Sequence, residues 1–323
     1  MAAVKQSMVD TNGVRLHVVE QGAGPAVLLL HGFPETSHAW CHQLAALAAA
    51  GYRAIAPDLR GYAGSSCPQD PASYTTLDAI GDLVGLLDAL GEPQCVVVGN
   101  DWGATIAWQA AQVRPDRFRA VAGLGVPLMG RAPALPSSLF PQDAQSWFYI
   151  HYFSDAAAAG ELDADPAATL ARIYFHASGD VGERGQATPN PFGMVDRRTG
   201  YLAALPAPAQ LPAWFTAADL DILAGAYARS GFQGGLNYYR NLDRNWALQG
   251  AFEGVQVTVP ALYLAGARDT GLAMPGMQQI IADMPRLAPD LRGSHVIAGA
   301  GHWLPQEAPA EVNAQLLAFL QGL

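Results

Sequence analysis

Short, almost wholly apolar runs punctuate the chain at Ala26 to Leu30, Arg53 to Ala56, Cys95 to Val98, Ala120 to Leu124, Ala261 to Ala265 and His295 to Ala298. A run with no polar face suits a strand of a parallel sheet, covered by helices on both sides. Between the runs, helical spacing of apolar residues predicts helices over His38 to Ala50, Leu77 to Leu90, Ala104 to Val113 and Pro309 to Leu320. Ahead of them, Met8 to Asp10 and Val14 to Val18 alternate in polarity around Asn12-Gly13, the signature of a hairpin with a two-residue turn. Strand–helix alternation after an antiparallel start predicts an α/β class, with a mostly parallel sheet flanked by helices.

The alternation lapses between about Gly130 and Leu248 and resumes at Val257. The interval is rich in Pro, Ala, Trp and Tyr and predicts helices, among them Ala144 to Phe153 and Ala217 to Ser230. The Pro-rich stretch Thr188 to Pro212 reads as a long loop, a common form for a lid. A helical block placed between two strands of one sheet predicts a cap (131–248) over a core formed by 1–130 and 249–323. No internal repeat is present.

The run Cys95 to Val98 leads directly into Gly99-Asn100-Asp101-Trp102-Gly103-Ala104 and a predicted helix. Small–x–nucleophile–x–small on a strand-to-helix turn is the nucleophile-elbow pattern, here with Asp where many such turns carry Ser. The glycines suit a turn whose backbone segments approach too closely for a Cβ, and the helix N-terminus favours negative charge on Asp101. An Asp here is equally typical of a simple helix N-cap, so the motif alone leaves both readings open.

The rest of the chain favours the nucleophile. In this arrangement the acid and the histidine follow in chain order, on loops after later strands. Asp269 follows the run ending at Gly266, and His302 follows the run ending at Ala298. The other position for the acid, after Leu124, is empty, because Gly125 to Gly130 contains no Asp or Glu. Of eight histidines, His17 and His295 fall in strands, His38 and His42 on a helix, His151 and His176 in the cap, and His31 opens a loop. That loop, His31-Gly32-Phe33-Pro34-Glu35, stands where an oxyanion-hole N–H is supplied. The backbone amides of Phe33 and Trp102 are the expected donors, worth about 3 kcal/mol each in comparable sites.

Composition narrows the partners. Across 323 residues, half are apolar and 14% charged, enough for a large core. A net charge of -10 with no basic cluster excludes a nucleic-acid or anionic-membrane surface. Lys5 is the only lysine in an alanine-rich background, which points to GC-rich coding and a bacterial source. No signal-peptide pattern opens the chain, no apolar run reaches the roughly 18 residues of a membrane span, and Cys41, Cys67 and Cys95 lack metal-ligand spacing. A cytoplasmic protein is expected.

Taken together these motifs resemble the α/β-hydrolase-fold epoxide hydrolases, the soluble type with an aspartate nucleophile. The resemblance spans nearly the whole chain, through His31-Gly32-Phe33-Pro34-Glu35, Asp58-Leu59-Arg60-Gly61-Tyr62, the Asp101 turn and Gly301-His302-Trp303. Its most specific part is Gly231-Phe232-Gln233-Gly234-Gly235-Leu236-Asn237-Tyr238-Tyr239-Arg240-Asn241, similar to the family's second cap tyrosine motif. It implies that Tyr239 binds the epoxide together with Tyr149, which lies in Trp147-Phe148-Tyr149-Ile150-His151-Tyr152-Phe153. Tyr152 and Tyr238 are the rivals, and Pro34 and Tyr152 are the expected pocket wall. A phenol with a pKa near 10 keeps its proton at neutral pH and can donate to a leaving alkoxide. The resemblance implies attack by Asp101 on an epoxide carbon, an aspartyl ester, and release by water activated by His302 with Asp269. The implied partners are a small apolar epoxide and water, with no metal or organic cofactor, on a monomer or homodimer. The chain departs from the family at Asn100 (usually His), at Ala63 (usually Gly) and over Ser154 to Ala159; the first two are expected to lie away from the chemistry. A haloalkane-type dehalogenase would use the same nucleophile, but Phe33 stands where many of those carry Asn. A non-catalytic receptor on this fold would usually show a broken triad, and a serine esterase would need Ser in the elbow.

Overall fold

The computed structural model describes residues 3–185 and 187–323. Strands β1 (Lys5–Thr11) and β2 (Val14–Gly22) form the predicted hairpin. Asn12 and Gly13 both take positive φ, 41° and 78°, as a two-residue turn matched to strand twist requires. There follow β3 (Ala26–Leu30), α1 (Cys41–Ala49), β4 (Arg53–Pro57), α2 (Thr76–Leu90), β5 (Cys95–Asn100), α3 (Trp102–Val113) and β6 (Phe118–Leu124). Between β6 and the next strand of the sheet lie α4 (Pro136–Leu139), β7 (Ser146–Phe148), α5 (Tyr149–Ser154), α6 (Ala158–Asp163), α7 (Pro166–Ala177), β8 (Met194–Asp196), α8 (Ala217–Ser230), α9 (Gln233–Arg240) and α10 (Leu242–Gln249). The chain closes with β9 (Ala261–Gly266), α11 (Met277–Leu287), β10 (Leu291–Ile297), α12 (Leu304–Glu307) and α13 (Pro309–Gln321).

Eight strands form one sheet in the order β1-β2-β4-β3-β5-β6-β9-β10, parallel from β4 onward. Successive residues of the central strands alternate between two cores. Val27, Leu29, Val96 and Val98 meet Leu44 and Leu47 of α1 and Val312 and Leu316 of α13. Leu28, Leu30, Val97 and Val121 meet Leu83 and Leu87 of α2 and Ile106 and Ala110 of α3. Both faces are therefore apolar, as the runs predicted. The second core continues without a break into the helices after β6, through Phe153, Tyr174, Phe215, Tyr227 and Tyr239.

Helix ends follow local chemistry. Capping boxes of Thr75 with Asp78 and of Thr216 with Asp219 start α2 and α8, and Gly91 and Gly231 at positive φ end them. Four expectations are corrected. His38 to Ala50 is not one helix, since Ser37–Trp40 is a 3₁₀ turn before α1. The run His295 to Ala298 belongs to a longer strand, β10, that starts at Leu291; it is an edge strand, largely exposed, with Val296 60% accessible. Ala144 to Phe153 is a helix only from Tyr149, and Thr188 to Pro212 contains β8 and the 3₁₀ turn Leu202–Ala204. The last two share one cause: Ser146–Phe148 pairs with Met194–Asp196, a contact almost fifty residues distant that local periodicity does not encode. Among the described residues no helix is long and apolar enough to cross a membrane.

A buried ion pair fixes the loop after β4. Arg60 Nε donates to Asp82 Oδ2 at 2.6 Å, and Asn12 of the hairpin turn donates to the same carboxylate. The Arg60 carbonyl in turn accepts from the Tyr238 hydroxyl at 3.1 Å, so the pair also supports α9. Asp82→Ala leaves the guanidinium buried without its counter-charge and is expected to cost about 3–5 kcal/mol. Urea denaturation checks this; a loss under about 1 kcal/mol would show that water replaces the carboxylate.

Candidate active site

The turn after β5 is held by close backbone contact. A Cβ on Gly103 would lie 2.0 Å from the Leu30 carbonyl oxygen, and one on Gly99 would lie 2.1 Å from that of Gly103. Asp101 sits between them at φ 53°, outside the ordinary range for a side-chain-bearing residue. Its carboxylate does not cap α3. Instead Oδ1 accepts the Phe33 amide at 2.9 Å, and Oδ2 lies 3.3 Å from His302 Nε2. The Trp102 amide follows at the first position of α3. Pro34, the next residue of the Phe33 loop, is buried.

His302 Nδ1 donates to Asp269 Oδ2 at 3.0 Å, and Asp269 Oδ1 accepts the Gly271 amide at 2.8 Å. Asp269 follows β9 and His302 follows β10, while Asp101 follows β5, so three loops meet at the C-terminal edge of the sheet. Burial works against a charged His302, but the charges of Asp269 and Asp101 and its hydrogen bonds to them prevail and hold its pKa well above the usual histidine range.

Across from Asp101 are the tyrosines. Tyr149 opens α5 and Tyr239 lies on α9, helices that pack together, with ring centroids 6.3 Å apart. Tyr239 also meets Trp102 edge-on at 5.2 Å and Phe33 at 5.6 Å. Burial first, and then the charge of Asp101, raises both phenols above their ordinary value, so both keep their protons.

The two rivals are not brought to this cluster. The Tyr152 hydroxyl donates to Glu161, whose carboxylate also accepts the amides of Tyr201 and Leu202, and its ring stacks on Tyr201. The Tyr152 hydroxyl, expected at the pocket wall, is therefore committed to Glu161. Tyr152 is held toward α6, where Glu161 lies. The Tyr238 hydroxyl is engaged by Arg60 behind Trp102.

Two further residues belong here. Glu35 is fully buried, and one oxygen accepts the Gly32 amide at 2.8 Å and the Asn100 side chain at 3.2 Å. Asn100, expected to lie away from the chemistry, holds Glu35 in place. Burial pushes the Glu35 carboxyl up to about 7, against its bond to Gly32 and with the charge of Asp101 adding to the rise. Phe192, from the segment before β8, meets the His302 ring edge-on at 4.7 Å and Tyr149 at 5.3 Å. Glu35 was visible only as part of a motif, and Phe192 carried no signal at all. Among the described residues no cluster of His, Cys, Asp and Glu is arranged to hold a metal.

Sheet order, elbow and the acid–histidine pair define an α/β-hydrolase, and a profile of the alpha/beta hydrolase fold matches residues 25–166. The chain is 44% identical to epoxide hydrolase A of Mycobacterium tuberculosis, over 100% of this chain and 99% of that one. It is 38% identical to epoxide hydrolase 3 of Siraitia grosvenorii over 99% of each. Among solved structures, an epoxide hydrolase from an endophytic Streptomyces superposes with a TM-score of 0.94 at 41% identity, covering 99% of this chain and 96% of that one. The chain belongs to the epoxide hydrolases of the α/β-hydrolase fold.

Two expectations follow. Tyr152→Phe removes a hydrogen bond to a carboxylate outside the site; it is expected to cost about 1.5–3 kcal/mol in denaturation and to leave turnover within about twofold. The Glu35 carboxyl is raised from its ordinary 4.5 to about 7, so the unfolded chain ionises first and stability falls as pH rises between those values. Glu35→Gln should flatten that fall, read as the denaturation midpoint at pH 5 and pH 7. An unchanged slope would contradict the assignment.

Proposed function

We propose that this epoxide hydrolase adds water to a small apolar epoxide through an ester on Asp101, and that a vicinal diol leaves. One observation carries the assignment: the Asp101 carboxylate, freed from capping, is divided between the Phe33 amide on Oδ1 and His302 on Oδ2. Oδ1 is thus held where negative charge will later develop, and Oδ2 is left to attack.

In the first step Oδ2 forms a bond to an epoxide carbon as the carbon–oxygen bond of the ring breaks. The departing oxygen takes a proton from Tyr149 or Tyr239, which both hold one and both face Asp101. Forming the ester removes a negative charge beside His302. One of the two carboxylates that raised its pKa is then neutral, so His302 gives up its proton, which replaces the one the tyrosine lost, and becomes the base that the second step needs. With Nδ1–H held by Asp269, Nε2 takes a proton from water as the water oxygen attacks Cγ of the ester. The amides of Phe33 and Trp102 receive the charge on Oδ1. As the adduct collapses, the ester oxygen takes the proton held by His302 and leaves as part of the diol, and the Asp101 acid returns a proton to His302, restoring the carboxylate. The aromatic rings of Phe33, Trp102, Phe153 and Phe192 surround the reacting atoms, which suits an apolar substrate.

We read residues 131–248 as a cap carrying the two tyrosines over a core of 1–130 and 249–323; the continuous core beneath it supports a cap rather than a separate body. We also read the protein as a cytoplasmic bacterial enzyme, monomer or homodimer, with support from three cysteines that are all free. A single turnover in heavy-oxygen water tests the mechanism. Label is expected in the Asp101 carboxylate before it reaches the diol, and Asp101→Ala should lower turnover by at least about 10⁴-fold. Label passing directly to diol would sink the covalent route.

A further inference from the structure

Glu307, at the end of α12, is absent from the chemistry above, yet four donors converge on its half-buried carboxylate. Oε2 accepts the Gly301 amide at 2.9 Å, the Gly179 amide at 2.8 Å and the Ser178 hydroxyl at 3.2 Å. Oε1 accepts the Trp303 amide at 2.9 Å. Gly301 and Trp303 flank His302, whose own amide donates to the Ala177 carbonyl at 3.0 Å. Three consecutive N–H groups are therefore fixed, two by Glu307 and one by the end of α7.

The same place is one of close backbone packing. A Cβ on Gly301 would lie 2.4 Å from the Gly179 nitrogen, and one on Gly179 would lie 2.1 Å from the Gly299 carbonyl oxygen. Trp303 extends the contact: its indole donates to the Tyr174 carbonyl at 2.9 Å, and its ring stacks on Tyr174 at 4.3 Å. The histidine loop and the segment Ala177–Gly179 thus form one joint with Glu307 at its centre. Burial pushes the Glu307 carboxyl upward, and the three amides draw it back.

We infer that Glu307 is a positioning residue for the hydrolytic half of the reaction, holding the backbone on both sides of His302 so that Nε2 is aimed at the water attacking the Asp101 ester. The inference rests on the assignment of the ester to Asp101 and of the base to His302. It predicts an effect confined to one step. Ring opening uses Asp101, Tyr149 and Tyr239, none of which touches Glu307, whereas hydrolysis depends on the direction of the His302 ring. A displacement of about 1 Å at such a centre can cost about a hundredfold.

Glu307→Gln keeps the shape but turns an amide NH₂ toward N–H donors. Rapid-quench mass spectrometry of the enzyme mixed with an epoxide such as styrene oxide reads ester formation and decay separately, each per alkylatable site, so misfolded molecules drop out. Ester formation is expected within about threefold of wild type, and ester decay slower by tenfold or more, so that the ester accumulates. Ser178→Ala, which removes one of four donors and leaves the flanking amides, should show a slowing of two- to fivefold in the same step. Unchanged decay in both variants, or equal slowing of both steps, would overturn the role of Glu307. Wild-type enzyme that forms no ester would instead overturn the assignment of Asp101, and this inference with it.

Discussion

The backbone at Asp101 is the constraint on which the site depends. A side-chain-bearing residue at φ 53° costs on the order of 1–3 kcal/mol and persists only where its surroundings leave no alternative. Here they leave none. Gly99 and Gly103 are in contact, Gly103 presses against the end of β3, and the carboxylate fills the space where a Cβ on Gly32 would be, 2.3 Å from Oδ1. The same turn that forces the strained backbone also carries the side chain away from the helix and into the space between the Phe33 loop and His302.

Electrostatics then follow from burial. The charges of Asp101 and Asp269 raise the His302 pKa well above the ordinary histidine range, and burial with the charge of Asp101 keeps the Tyr149 and Tyr239 phenols protonated. In the proposed mechanism the charge that holds His302 protonated is the one consumed by ring opening, so the first step prepares the base for the second. Parts distant from the reacting atoms sustain this geometry. Arg60 and Asp82 brace the loop that Tyr238 leans on, and Glu307 joins the histidine loop to the end of α7.

Local pattern went furthest where local chemistry sets the element. The Asn12-Gly13 turn, the apolar strands of the sheet centre and the helices started by Thr75 and Thr216 all carry their own instructions. It failed where a partner lies far along the chain. The ribbon β7–β8 cut short a predicted helix, and β10 proved to be an exposed edge, because pairing and sheet position are decided by strands remote in sequence. Tyr152 is the clearest instance in the site. It was expected at the pocket wall, but Glu161, nine residues on, holds its hydroxyl.

The sequence by itself determined the class of protein and the candidates for its chemistry: an acid on a glycine-flanked elbow, an acid and a histidine after later strands, and tyrosines in an inserted block. Those signals are local because chain order along a parallel sheet dictates which loops reach its C-terminal edge. The tertiary structure freed the Asp101 carboxylate from capping, set Tyr149 beside Tyr239, and brought in Glu35, Phe192 and Glu307. Each of these depends on which atoms face one another across distant segments, and burial then sets their charge. Neither is written in any single stretch of residues.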